Sequence, residues 1–163
     1  MIIGISYRRG YLSYEELLLD AYDSGLKVKE LHIPGFKGRI KGNRIAIDKD
    51  IRTLKEKTCV LAEELGHYYT SSGNILDQNI DSNRKQEYRA RLWAYDKQIG
   101  FEGIIKAYEV GCQSLYEMAD YLDVTEEFLS EAISCYKSKY GLHTRIDNYV
   151  IYFEPYLAVM KII

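Results

Sequence analysis

Glu63, Glu64 and His67 stand in one short run, Glu63-Glu64-Leu65-Gly66-His67, and Glu87 follows twenty residues after His67 (87 − 67 = 20). In a helix the residues at i and i+4 share a face, so Glu63 and His67 project together while Glu64 is turned about 100° aside. A hydrolytic zinc needs two ligands on one rigid element and a third from elsewhere. It also needs an open position for water and a carboxylate nearby to take the water's proton. Glu63, His67 and Glu87 are therefore candidate metal ligands, and Glu64 is the candidate general base. Taken alone, two acids followed by a histidine most often mark a solvated helix face. Val60 on the same face argues for partial burial, where unpaired carboxylates are costly.

The elements that must position these groups are legible in the periodicity. Ile51, Leu54, Thr58, Leu61, Leu65 and Tyr68 recur at three and four residues, describing an amphipathic helix with Asp50 as its expected cap. Thr70-Ser71-Ser72-Gly73 ends it. Asn83-Arg84-Lys85-Gln86 reads as a capping box for a second helix over about 84–98, with Tyr88, Leu92, Tyr95 and Ile99 as its apolar stripe. The face that carries Glu87 also carries Ala90 and Ala94, small enough to let the two helices approach. Upstream, Ser13-Tyr14-Glu15-Glu16 is a capping box for a short helix to about Ser24, stopped by Gly25. A strand is expected over 27–33, followed by a hairpin of 36–40 and 44–48 around Gly42-Asn43. Downstream, helices are expected over 101–109, 114–122 and 125–140, with Gly141 as a stop. Asn148 to Ile163 reads as one or two terminal strands.

The 163 residues, with a net charge of −2 and a pI near 6.0, suit one compact unit with no general electrostatic grip on nucleic acid. Cys59, Cys112 and Cys135 are odd in number and widely spaced, which reads as reduced core thiols. The segment Met1 to Arg9 lacks an apolar run followed by a small-residue cleavage site, and no stretch approaches a membrane span. A soluble cytoplasmic protein, with no membrane partner, is expected.

The two helix motifs together resemble the ImmA/IrrE family of metallopeptidases. Its "H-E-L-G-H" helix is matched by Glu63-Glu64-Leu65-Gly66-His67, and its "E-x-x-A-x-x-F-A" helix by Glu87-Tyr88-Arg89-Ala90-Arg91-Leu92-Trp93-Ala94. The resemblance runs from the Gly42 hairpin through Ala62 to Tyr140 and includes the loop Gly73-Asn74-Ile75-Leu76-Asp77-Gln78. It implies a zincin-like core, zinc as cofactor and, for members borne by prophages and conjugative elements, cleavage of a partner repressor that releases element genes. Carried over by position, it implies Glu63, His67 and Glu87 as ligands and Glu64 as base. Glu63 departs from the family pattern, where His is usual. A shell of one nitrogen and two oxygens is harder and less selective for zinc over other divalent ions. The extra negative charge also raises the pKa of bound water, which implies a slower or substrate-activated enzyme.

Other residues have ordinary readings. His32 and His143 lack ligand spacing and read as surface or capping residues. Tyr68, Tyr69 and Tyr95, among 16 tyrosines, read as packing groups with wet hydroxyls. Ser114 to Leu129 has helix-turn-helix spacing, but Glu126, Glu127 and Glu131 would face phosphates, so a structural or protein-docking role is expected. Lys37, Arg39, Lys41 and Arg44 read as charge protecting an edge strand, to which a substrate segment could add.

The expected fold is α+β. Residues 1–99 would form a zincin-like metallopeptidase core, with a small N-terminal sheet and the active-site helix. Residues 100–163 would form a helical, helix-turn-helix-like lobe with terminal strands, packed with the core as one unit. The expected function is a zinc-dependent metallo-endopeptidase, an anti-repressor hydrolase, with another divalent metal as the variant. A repressor or regulator protein is the expected substrate, and no direct nucleic-acid contact is expected. The alternative is a non-catalytic module that binds a regulator on the same scaffold.

Overall fold

The computed structural model describes residues 11–71 and 80–163; residues 1–10 and 72–79, to which the Met1–Arg9 and Gly73–Gln78 readings refer, lie outside the described residues. Helices and two small sheets alternate in groups, a mixed arrangement compatible with the α+β expectation.

Helix α1 (Tyr14–Asp23) starts on the expected capping box: the Glu16 amide donates to the Ser13 hydroxyl and the Ser13 amide to the Glu16 carboxylate. Gly25, at φ +76°, turns the chain into β1 (Lys27–Leu31). Strands β2 (Gly38–Lys41) and β3 (Arg44–Asp48) form the hairpin, and β3 lies in the middle, parallel to β1 and antiparallel to β2. Ile45 and Ile47 of β3 are buried on the face that meets the helices.

Helix α2 (Leu54–Thr70) begins later than expected. Thr53, not Asp50, is its cap, with the Glu56 amide donating to the Thr53 hydroxyl. Asp50 instead pairs with His32. The buried band of α2 is also wider than the expected stripe, running Thr58 to Ala62 with Leu65 and Gly66, while Leu54 and Tyr68 are exposed. Packing from several sides explains this, since α2 is covered by α1, the sheet and helix α3 (Ile80–Gln98). Helix α3 starts ahead of Asn83, so the Asn83 capping box lies inside the helix. Tyr88, assigned to the apolar stripe, is exposed, whereas Ala90, Ala94, Tyr95 and Ile99 are buried.

Helices α4 (Gly100–Glu109), α5 (Leu115–Tyr121) and α6 (Glu126–Tyr140) follow, the last two capped by Ser114 and Thr125. Leu122, Val124, Phe128 and Leu129 are buried between α5 and α6. The tail holds more sheet than the one or two strands expected. β4 (His143–Ile146), β5 (Tyr149–Tyr152) and β6 (Ala158–Lys161) form an antiparallel sheet with β5 central. The extra strand precedes Asn148 because Asp147, at φ +50°, makes a tight turn that pairs His143–Ile146 with β5. One buried apolar cluster runs from Tyr14 through α2, α3 and α6 to Phe153. Cys59 is buried within it, Cys112 and Cys135 are half-buried, and all three are free thiols. Among the described residues no helix is long and apolar enough to cross a membrane.

Candidate functional site

Helices α2 and α3 lie against each other at Gly66. A Cβ on Gly66 would stand 2.2 Å from the Ala90 carbonyl oxygen, so only glycine permits this approach. The close crossing brings His67 and Glu87 together: His67 Nε2 lies 3.3 Å from Glu87 Oε2. Two ligands of a tetrahedral zinc, each at about 2.0–2.1 Å from the ion, stand roughly 3.3–3.4 Å apart. The pair therefore has the separation of one edge of such a site.

The other oxygen of Glu87 is held by Arg91, whose Nε donates to Oε1 over 3.0 Å. Arg91 was not singled out from the sequence, although its i+4 spacing from Glu87 on a helix is the signal that could have found it. Glu63 and Glu64 line a groove of about 470 Å³ between α2, β2, α3 and the start of α6, with Lys37, Arg91 and Glu131. Glu131 also accepts a hydrogen bond from the Tyr95 hydroxyl at 3.1 Å. No local pattern links Glu131 to Glu63, because only the packing of α6 brings it there.

Burial pushes the carboxyls of Glu63 and Glu64 up to about 7. Arg91 and Lys37 lower Glu63, opposed by Glu131 and Glu87. Glu63 and Glu87 add to the rise at Glu64, opposed by the backbone amide of Ile40. Gly38 of β2 sits directly over this pair of turns. A Cβ there would come within 2.5 Å of Val60 Cγ1 and 2.9 Å of Glu64 Oε1.

The donor chemistry about the α2–α3 crossing suits a divalent cation: the His67 imidazole beside the Glu87 carboxylate, and the Glu63 and Glu64 carboxyls that line the groove, both partly desolvated. The structure joins His67 to Glu87 but does not gather Glu63 with them into one tight set. Among the described residues, the group of three ligand-type side chains with donor atoms all within 4.8 Å of one another is His32, Asp48 and Asp50. His32 has no ligand spacing in the sequence and reaches this group because the β3–α2 connection brings Asp50 to it from beside the end of β1, Nδ1 to Oδ2 at 2.8 Å. The group is largely exposed. Tyr69, read as a packing residue, stacks on Trp93 with ring centroids 5.0 Å apart.

Residues 21–134 match the Peptidase_M78 family, described as the IrrE N-terminal-like domain. No curated protein matches the chain, and no solved structure matches it.

Proposed function

The chain belongs to the Peptidase_M78 family, a metallopeptidase family whose chemistry implies a metal, and on that premise we propose that it is a zinc-dependent endopeptidase. Its substrate in this reading is a repressor encoded by a prophage or conjugative element. The β1–β3 sheet with α2 and α3 is then a zincin-like core, and α5–α6 a helix-turn-helix-like lobe used for structure or protein docking. The observation that carries the reading is the 3.3 Å approach of His67 to Glu87 across two helices that only glycine allows to meet.

Glu63, His67 and Glu87 would hold the ion, which when bound supplies a Lewis acid for the carbonyl and lowers the pKa of the attacking water. Glu64 accepts the water's proton at its carboxylate and returns it to the leaving amine. Without the ion, burial and the carboxylates of Glu63 and Glu87 hold Glu64 up to about 7, and a bound cation would lower it toward the carboxylate form that accepts the proton. Arg91 holds Glu87 Oε1, while Oε2 lies beside His67. β2 is an edge strand of its sheet, and an extended segment pairing with it would pass beside Glu64.

Metal analysis of the purified protein, followed by incubation with the repressor encoded beside it, tests the proposal. A stoichiometric divalent ion lost in Glu87→Ala, with cutting abolished in Glu64→Gln, is expected. A metal-free wild type, or equal cutting by Glu64→Gln, would sink it. The Arg91–Glu87 ion pair favours a second reading, a non-catalytic module that binds a regulator on this scaffold, because it already engages one proposed ligand. Repressor binding with neither metal nor cleavage would select that reading.

A further inference from the structure

The face of the β1-β3-β2 sheet turned away from α2 carries a dense set of cations. Side chains alternate along a strand, and Val28, Gly38, Ile40, Ile45 and Ile47 share the inner face by register. On the outer face, Lys27, Arg44 and Lys41 form one row across the three strands, and Lys29, Ala46 and Arg39 form the next. Strands stand about 4.8 Å apart and alternate residues about 6.7 Å apart, so five cations occupy a patch roughly 10 Å by 7 Å. Ala46, at the centre, leaves a trough of about 670 Å³ bounded by these cations and, at one end, by Leu31 and Ile33. Asp48, opposite Leu31, bounds the field in the third row.

Several cations elsewhere are neutralised, while others, such as Arg52 and Lys97, form no ion pair among the described residues. Lys37, Lys55, Lys57, Lys106 and Lys137 each pair with a carboxylate, whereas among the described residues none of the five outer-face cations forms an ion pair. A chain of net charge −2 has more acids than cations, yet none of them pairs with these five among the described residues. The whole-chain charge therefore hides a local field of one sign.

We propose that this outer sheet face docks the phosphate backbone of double-stranded nucleic acid, without reading its sequence. Charge complementarity selects a polyanion. The trough has no aromatic side chain along it, and Phe36 nearby, itself exposed, carries the Arg39 guanidinium on one face of its ring, 5.1 Å from the centroid. Unstacked bases would find no stacking platform within the trough, which favours a duplex over a single strand. Because β3 is hydrogen-bonded on both sides, the centre of the face offers side chains rather than backbone groups. That suits a lattice of phosphate charges better than a peptide strand. Docking here leaves the groove at Glu63 and Glu64, on the other side of the sheet, open.

The test uses the full chain and a labelled duplex DNA of arbitrary sequence, read by fluorescence anisotropy. Five neutralised phosphates give a slope of log affinity on log salt near −4.5, so affinity should fall about 500-fold between 50 and 200 mM salt. Lys29→Glu/Arg39→Glu/Lys41→Glu should lose at least about tenfold in affinity and flatten the slope by about 3. Lys106→Glu/Lys137→Glu/Lys139→Glu, with the same net charge, should keep the slope. Single Lys29→Gln, Arg39→Gln and Lys41→Gln variants, each flattening the slope by about 1, read the same face if the triple variant loses its melting transition. No binding at 50 mM salt, or equal loss in the two triple variants, overturns the proposal. Displacement by polyglutamate as effective as by unlabelled duplex also overturns it, in favour of an acidic polypeptide. Duplex RNA competing as well as DNA supports the shared phosphate chemistry.

Discussion

Gly66 faces the carbonyl of Ala90 so closely that a methyl group at position 66 would overlap it, at 2.2 Å. Replacing Gly66 by Ala gains about 1 kcal/mol of helix propensity but forces two backbones apart. Overpacking against backbone costs about 1–3 kcal/mol or more, and here no flexible side chain can yield. Gly66→Ala should therefore lower stability by about 2 kcal/mol in urea unfolding and weaken divalent-ion binding at the same time. A variant as stable as wild type would mean that the helices do not cross this tightly.

Arg91 competes with a bound cation for Glu87 and places positive charge near Glu63. Arg91→Ala should raise divalent-ion affinity about tenfold, roughly 1.4 kcal/mol, as measured by calorimetry. Weaker binding would instead show that Arg91 orients Glu87 for the ion.

In the presence of a chelator, stability should fall as pH rises. Glu63 and Glu64 have folded pKa values near 7, above the ordinary carboxyl value of 4.5, so the folded state binds more protons between these limits. The stability slope with pH is then negative from about pH 4.5 to 7. Thermal melts should show a higher midpoint at the acid end, and Glu63→Gln/Glu64→Gln should flatten the profile. A double variant with the wild-type slope would place the effect elsewhere.

Gly38→Ala adds a methyl group that meets Val60 and the Glu64 carboxylate. These are side-chain atoms and can shift, so the fold should survive at a cost of about 1–2 kcal/mol. Because the shift displaces Glu64, cleavage of the repressor should drop at least about tenfold in kcat with metal content unchanged. Full activity would remove β2 from the site.

The sequence by itself determined the local elements and the family. Capping residues Ser13, Ser114 and Thr125, the Gly42-Asn43 hairpin and the Glu63–His67 spacing all act over a few residues, where backbone geometry leaves few alternatives. Tertiary structure decided what long-range packing controls. Thr53 displaced Asp50 as the α2 cap because Asp50 found His32, a partner from another element. Glu131 and Lys37 entered the groove only when α6 and the hairpin closed over α2. The five cations of the sheet's outer face became one field only through strand register. Spacing along one strand cannot show which residues of two others lie beside it.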